Sequence, residues 1–312
     1  MRFDSPPRPG LGQSQSPNVP HIALSFNVDS GRAAAYRSIL VTELFEKRVG
    51  ICLGSGYFGF FAHAGFALAM EEIGVTPVAV AGCSAGALAG SFWAAGMRAA
   101  DVAGLLCSIR LRDFLDLPLP WEIWTTPGGL IRGARFECLL ERHLPVDSFE
   151  DCRWPFAATV FDIDERRLRI IDSGPLAPAV RASCSMPGMF APARVDGHLC
   201  WDGGTVEKVP VASLADRPDV DAIIVAYVSR SPSRPSTVAA GLRAALHTLI
   251  NPADQRAVDL ARNRGKEVIV VAPASPASGP FRLSRGREIV DLARRDTLRI
   301  LEEKDFGCPE LR

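Results

Sequence analysis

The sequence carries no net charge, its 35 Lys and Arg being matched by 35 Asp and Glu. Without a basic field, a zinc-finger spacing or an aromatic-basic repeat, nothing in it is built to hold a phosphate backbone, so no nucleic-acid partner is expected. Nowhere do roughly eighteen apolar residues run together, the length a helix needs to cross a bilayer. The first ten residues, MRFDSPPRPG, contain no apolar stretch of the secretory-leader kind. The sequence therefore predicts a cytoplasmic protein that meets membranes peripherally if at all. The eight cysteines (Cys52, Cys83, Cys107, Cys138, Cys152, Cys184, Cys200 and Cys308) include no CxxC pair. Several lie inside apolar runs, which reads as free thiols in a reducing compartment and not as a disulfide framework. No metal-ligand cluster and no organic cofactor motif is recognised.

What is present is apolar material, 47% of the residues, enough for one large core. Residues 1–20, rich in Pro, Ser, Gly and Gln, cannot bury enough surface to offset their ordering entropy and are predicted to be a disordered tail. Residues 21–47 read as a connecting segment in which Tyr36, Ile39, Leu40 and Leu44 follow helical spacing. The main domain spans 48–303, and 304–312 form a C-terminal tail.

The domain opens with a strand-turn-helix pattern used twice. Val49-Gly-Ile-Cys-Leu53 is an apolar run ending in Gly54-Ser55-Gly56, followed by a helix over 59–73 with Gly74 at its C-terminal cap; Val75 to Ala81 leads into Gly82-Cys83-Ser84-Ala85-Gly86 and a helix to about Met97. Further strands are predicted over Phe156–Phe161, Arg167–Asp172, Ala222–Val228 and Glu267–Ala272, and helices over Gln255–Arg264 and Arg285–Glu303. The alternation implies an α/β layer around a parallel sheet.

Gly82-x-Ser84-x-Gly86 has the form of a nucleophile elbow. The serine sits at the apex of a sharp strand-to-helix turn, where glycines are needed because no bulky neighbour fits, and the helix dipole favours a developing alkoxide. Gly54-Ser55-Gly56-Tyr57-Phe58-Gly59 is a GxGxxG string with three conceivable uses. A phosphate loop needs Lys and Ser or Thr after its last glycine, and Phe60-Phe61 stand there instead. A dinucleotide site needs an acidic residue at the end of the next strand, and Val75 to Ala81 contains none. An oxyanion hole, in which unshielded backbone amides face the Ser84 apex, remains, beside the plain alternative of a ligand-free turn.

A histidine base is hard to find. Of His21, His63, His143, His198 and His247, only His247 follows both Ser84 and Asp202, and it lies within a helical pattern. Asp202-Gly203-Gly204 offers a carboxylate on a bare turn, which could serve as base if its site were dry. Taken alone, an Asp-Gly-Gly string is usually only a turn.

Together and in this order, the Gly54–Gly59 loop, the Gly82–Gly86 elbow and Asp202-Gly203-Gly204 resemble the patatin-like phospholipases. The likeness extends to Ala69-Met-Glu-Glu-Ile-Gly74, Ala157-Ala-Thr-Val-Phe-Asp162, Arg181-Ala-Ser-Cys-Ser-Met-Pro-Gly-Met-Phe-Ala-Pro192 and Val209-Pro-Val211. The resemblance implies a three-layer patatin-like fold, with a central mostly parallel sheet flanked by helices. It further implies a lipid acyl hydrolase of phospholipase A or acylglycerol lipase type, with Ser84 as nucleophile, Asp202 as base, the amides of Gly54, Ser55, Gly56 and Tyr57 as oxyanion donors, and Gly59, Gly82, Gly86, Gly203 and Gly204 as supporting positions. Neither metal nor cofactor is implied; the partner is a phospholipid or neutral glycerolipid. Phe58 stands where many members carry Arg or Lys, as in the arginine-free loop of the animal triglyceride-lipase and adiponutrin branch. Phe114 to Trp124, apolar and interrupted by prolines, suits a membrane boundary or acyl channel, or a loop packed on the core. Two other readings stay open: an α/β-hydrolase esterase using His247, and a catalytically silent lipid-binding protein on the same fold.

Overall fold

The computed structural model describes residues 46–117, 128–228, 253–276, 279–304 and 306. The predicted N-terminal tail, the helix before Lys47, residues 118–124 of the Phe114–Trp124 stretch, most of the predicted C-terminal tail with Cys308, and His247 lie outside the described residues. The seven described cysteines are free thiols; Cys52, Cys83 and Cys200 are buried, whereas Cys138 is exposed.

Strand β1 (Val49–Leu53) leads through the glycine loop into helix α1 (Phe60–Glu72), and β2 (Ala79–Cys83) turns at Ser84 into α2 (Ala85–Ala94). Then come α3 (Ala99–Ser108), the short β3 (Gly129–Ile131), α4 (Ala134–His143), β4 (Phe156–Asp162), β5 (Arg167–Ile171) and α5 (Leu176–Ser183). Strands β6 (Gly188–Phe190), β7 (Ala193–Val195) and β8 (His198–Asp202) precede the single-turn α6 (Ala212–Ala215). The chain closes with β9 (Ala222–Ala226), a helix α7 over 253–263, β10 (Glu267–Val271) and α8 (Gly286–Glu303). The main sheet runs β10-β9-β1-β2-β4-β8-β7, with β5 also on β4, and a small second sheet pairs β3 with β6. Strands β10, β9, β1, β2 and β4 are mutually parallel; β5, β8 and β7 add antiparallel pairings at one end. This is the mostly parallel sheet flanked by helices that the sequence implies.

Both faces of the parallel region are buried, and the period of two decides which side each residue serves. Ile51, Leu53, Val80, Ile224, Ala226, Ile269 and Val271 join the larger core beneath α1, α2 and α8. Their neighbours Cys52, Ala79, Ala81, Ile223, Val225 and Val270 join the smaller core under α6 and α7. Such strands read as unbroken apolar runs, and for this reason they were visible in the sequence.

Helix α1 lies inside the larger layer, and every residue from Phe60 to Met70 is buried. A helix apolar all round needs neighbours on every side. On one side α8 passes so close that a Cβ on Gly65 would stand 2.3 Å from the Val290 carbonyl oxygen. In an exposed helix, exchanging Gly for Ala stabilises by about 1 kcal/mol. Here Gly65→Ala is expected to reverse that sign and destabilise by about 1–3 kcal/mol, because helix backbones would have to part. Chemical denaturation of the two proteins measures it.

Candidate active site

The two signature motifs meet through the register of one strand. On β4, Cys83 at the end of β2 pairs with Thr159, and Asp202 at the end of β8 pairs with Val160, the next residue. Strand β5 pairs with Ala158 through Asp162 and so takes the opposite edge of β4. It follows that β2 and β8 share the other edge end to end. The chain leaves β2 at Ser84 and leaves β8 at Asp202, and the two residues face each other across the junction.

Ser84 sits at φ 53° and ψ −119°, a conformation that L residues rarely adopt. The flanking glycines are steric necessities. A Cβ on Gly82 would stand 2.6 Å from the Ala87 Cα, and one on Gly86 would stand 2.0 Å from the Leu53 carbonyl oxygen. The strained turn is held from α5: the Ser84 amide donates to the Ser183 hydroxyl (2.9 Å), which donates to the Thr159 carbonyl (2.8 Å). The Cys184 thiol reaches the Ser84 carbonyl at 3.2 Å, and the Asp202 amide donates to the Ser185 carbonyl at 2.9 Å. Three consecutive residues therefore grip both members of the pair. They are anchored in turn by Arg181, whose buried guanidinium donates to the Ser185 hydroxyl (3.0 Å), to the Ala191 carbonyl (2.9 Å) and to the Arg132 carbonyl.

Asp202 is 2% exposed. Burial pushes its carboxyl up to about 6, against the opposing pull of the Ser84 hydroxyl, the Gly204 amide and the Cys83 thiol. The Gly204 amide donates to Oδ1 at 2.8 Å. Such a carboxylate is ionised at neutral pH yet more basic than a solvated one, which is what proton abstraction from a serine requires.

The glycine loop lies beside the elbow, as the parallel β1–β2 pairing dictates. Two of its four predicted oxyanion donors are engaged elsewhere: the Gly54 amide donates to Ala226 O at 3.1 Å, and that of Ser55 to Lys208 O at 2.7 Å. These bonds stitch the loop to β9 and to the segment after Asp202, so Gly54 and Ser55 support the loop and their amides are not oxyanion donors. Gly56 and Tyr57 line the same pocket as Ser84. His63 holds the loop from behind. Its Nε2 lies 2.7 Å from Gly54 O, and because a carbonyl only accepts, that nitrogen carries the proton. Burial lowers the His63 pKa to about 4, with the bond to Gly54 opposing, so the ring is neutral and structural. His63 does not line the pocket that contains Ser84. His143 closes α4.

The pocket that contains Ser84 and Asp202 encloses about 670 Å³ including its mouth. Its walls are Phe58, Phe60, Leu88, Ile109, Phe114, Phe136, Met186, Met189 and Phe190. In the sequence, Phe58 and Phe60 stand out at the glycine loop, Phe114 in an apolar stretch, and Met186, Met189 and Phe190 within the segment that resembles the family, but no local signal shows that these residues share a wall with Leu88, Ile109 and Phe136. Among the described residues one cluster has metal-ligand types, Asp162, Asp164 and His198. Its groups are already paired, Asp162 with Arg169 (3.3 Å) and His198 (3.0 Å), and Asp164 with the Leu199 amide (3.0 Å), which fixes the β4–β8 corner.

Removing the Ser183 hydroxyl takes away the acceptor for the Ser84 amide and leaves the buried Thr159 carbonyl short of a donor. Ser183→Ala is expected to cost about 1–3 kcal/mol of stability. It should also slow fluorophosphonate labelling of Ser84 about tenfold, since a displaced nucleophile loses its alignment. Thermal melts and labelling kinetics measure the two effects separately.

Residues 51–215 match the model of the patatin-like phospholipase family. An uncharacterized NTE family protein of Mycobacterium tuberculosis is 33% identical over 170 residues, 54% of this chain and 46% of that protein. A lysophospholipase NTE1 of Cryptococcus neoformans is 28% identical over 192 residues, 60% of this chain and 12% of that one. The chain thus spans about half, or much less, of the length of these relatives. Among solved structures, the type III effector ExoU aligns with a TM-score of 0.45 at 13% identity, over 83% of this chain and 53% of that one. The match covers the glycine loop but for its leading strand residues, the serine elbow, the aspartate turn and everything between, and the chain belongs to the patatin-like phospholipase family.

Proposed function

We propose that the protein is a lipid acyl hydrolase in which Ser84 is the nucleophile and Asp202 its only side-chain base. The observation that carries this reading is the placement of a strained serine opposite a buried carboxylate of raised pKa, at the floor of an apolar pocket. Ser84 Oγ attacks the ester carbonyl as Asp202 takes its proton. The carbonyl oxygen, now negative, is received by the amides of Gly56 and Tyr57. The tetrahedral intermediate collapses, the alcohol leaves with the proton from Asp202, and an acyl-Ser84 ester remains. Water then attacks that ester, Asp202 accepting its proton, and the fatty acid and the free serine are regenerated.

The pocket favours esters with uncharged surroundings. Apart from Asp202, the described lining residues include no Asp or Glu, and no Lys or Arg, that could pair with a charged head group there. Phe58 packs its ring against Tyr57 (centroids 4.8 Å apart) and Phe60 (5.8 Å). In a position where a basic residue would attract phosphate, this chain offers hydrocarbon, so neutral glycerolipids are the proposed substrates ahead of phospholipids. Faster turnover of a monoacylglycerol or diacylglycerol than of a phosphatidylcholine with the same acyl chains is the expected result.

The mechanism is tested by three substitutions. Ser84→Ala and Asp202→Asn are each expected to lower turnover of a short p-nitrophenyl ester by several orders of magnitude, while His247→Ala stays near wild type. Inactivation by His247→Ala in a folded protein would restore an esterase of the histidine type. Turnover is expected to rise with pH through about 6 as Asp202 loses its proton.

The same group sets an opposite trend in stability. A folded pKa above the unfolded value means that the native state binds the proton more tightly. The contribution from Asp202 is then fully present below about 4 and is lost as the pH rises through about 6. Asp202→Asn, which cannot ionise, is expected to be more stable than wild type at pH 8, by about 3 kcal/mol. Denaturant titrations of both proteins at pH 4 and pH 8 test this; a variant no more stable at the higher pH would show that burial does not strain the carboxylate.

A further inference from the structure

The glycine loop turns between Gly56 and Gly59, where the Gly59 amide donates to the Gly56 carbonyl at 2.8 Å. Phe58, the third residue of this turn, has a φ of 54°, and Tyr57 is not among the residues of positive φ. Positive φ confined to the third position is the pattern of a type II turn, which favours glycine there because a Cβ crowds the backbone. A bulky side chain in that region is rare and costly. The loop does contain glycines, but on either side of this position. A Cβ on Gly56 would stand 3.1 Å from the Val228 Cβ, and one on Gly59 would stand 3.1 Å from a Val228 methyl and 3.2 Å from the Gly56 carbonyl oxygen. Gly56 and Gly59 therefore let the turn pack against Val228 beyond the end of β9, while the one position whose backbone favours glycine carries phenylalanine.

Backbone strain of this kind persists where a functional site holds it in place. The Phe58 ring lines the pocket together with Ser84 and Asp202. It stands edge-on to Tyr57 and tilted against Phe60, and Phe60 packs in turn on Phe61 at 4.4 Å. Phe61 is fully buried, so this row of rings is rooted in the core. Phe58 also directly follows Gly56 and Tyr57, whose amides are the proposed oxyanion donors. Its ring is thus carried by the same short turn that receives the ester carbonyl.

From this arrangement we infer that Phe58 is a specificity-determining residue, held in a strained turn so that its ring covers the first methylenes of the acyl chain bound at Ser84, and that the site thereby selects medium and long acyl chains over short ones. The inference rests on the lipid hydrolase reading and adds the residue that measures the chain beside the ester. Selection by hydrocarbon contact follows the area removed from water, and each methylene fully buried is worth about fourfold in affinity. A Phe58 that served packing alone would lower the melting temperature when replaced and leave the gain per methylene unchanged.

Binding is measured on the Ser84→Ala protein with 1-O-alkylglycerols, ethers that mimic a monoacylglycerol and cannot be hydrolysed. From four to eight carbons, affinity is expected to rise about fourfold per methylene. Adding Phe58→Ala or Phe58→Gly should reduce that gain to about twofold per methylene, so that the eight-carbon ether loses about sixteenfold relative to the four-carbon one. Phe58→Leu, which keeps hydrocarbon at the wall, should retain most of the gain. Thermal melts test the strain: Phe58→Gly is expected to melt above Phe58→Ala, the reverse of the order at ordinary backbone angles, because glycine alone adopts positive φ without penalty. With Ser84 intact, the ratio of kcat/KM for p-nitrophenyl octanoate over butyrate should fall in Phe58→Ala in the same proportion. An unchanged gain per methylene in the Ala and Gly variants, or an Ala variant melting at or above the Gly variant, would overturn the inference, and ester hydrolysis by the wild-type protein would leave the hydrolase reading standing. A gain per methylene that depends on Phe58, in a protein that hydrolyses no ester, would keep the role of Phe58 and overturn the enzymatic reading.

Discussion

The site depends on how one edge of β4 is divided. Residues Phe156–Thr159 of that edge pair with β2, and Val160–Asp162 pair with β8, running the other way. Two strands that arrive from opposite directions must both end where they meet, and each ends on a functional motif. A strand register is fixed wherever its faces are buried, since a slip of one residue would turn every side chain to the wrong side. The distance between serine and aspartate is therefore maintained by the core packing of the whole sheet. The same register brings together two residues 118 positions apart in sequence, the pair on which the proposed mechanism rests.

The cost of the arrangement is concentrated at the same junction. Ser84 is held at positive φ, and Asp202 is kept ionisable in a place where burial opposes its charge. The compensations are close at hand. Ser183, Cys184 and Ser185 secure the backbones of both residues, and the Gly204 amide supports the carboxylate. Close approach of backbones makes these bonds possible. Gly204 lies so near the glycine loop that a Cβ there would stand 2.3 Å from Ser55 Oγ, and Gly86 lies against the end of β1. The glycines of the three motifs thus serve mutual packing at least as much as ligand approach.

That difference marks what could be read from the sequence. Most of the parallel strands, being unbroken apolar runs, and the helices that follow them fell where hydrophobic pattern and glycine punctuation put them; β2 begins at Ala79 and not at Val75, and it runs on through Gly82 and Cys83, which were read as turn. The elbow was legible because a GxSxG string between a strand and a helix has a single steric meaning. The roles of Gly54 and Ser55 were not, because a glycine amide looks the same in sequence whether it faces a substrate or bonds to a neighbouring strand; only the Ala226 and Lys208 carbonyls decide it. The short strands β3, β6, β7 and β8 also escaped, being three to five residues long and partly exposed, with no periodicity to distinguish them from loop. Ser183 and Arg181 lay within a segment recognised by likeness, yet nothing in their identity told that one clamps the elbow and the other the clamp.

Pocket and surface make contrary demands, and α4 meets both through its period. Phe136, Leu139 and Leu140 turn inward, while Arg135, Cys138, Glu141 and Arg142 are exposed. Adjacent residues 135 and 136 thus belong to opposite environments, one facing solvent and the other lining the acyl pocket. The helix is fixed at its start by Asp116, which comes from the segment that also supplies Phe114 and Leu117. An interior kept free of compensating charge lets burial raise the basicity of Asp202, and it excludes ionic recognition of a head group at that depth. The thickness of one helix thus separates a solvated polar face from an apolar pocket.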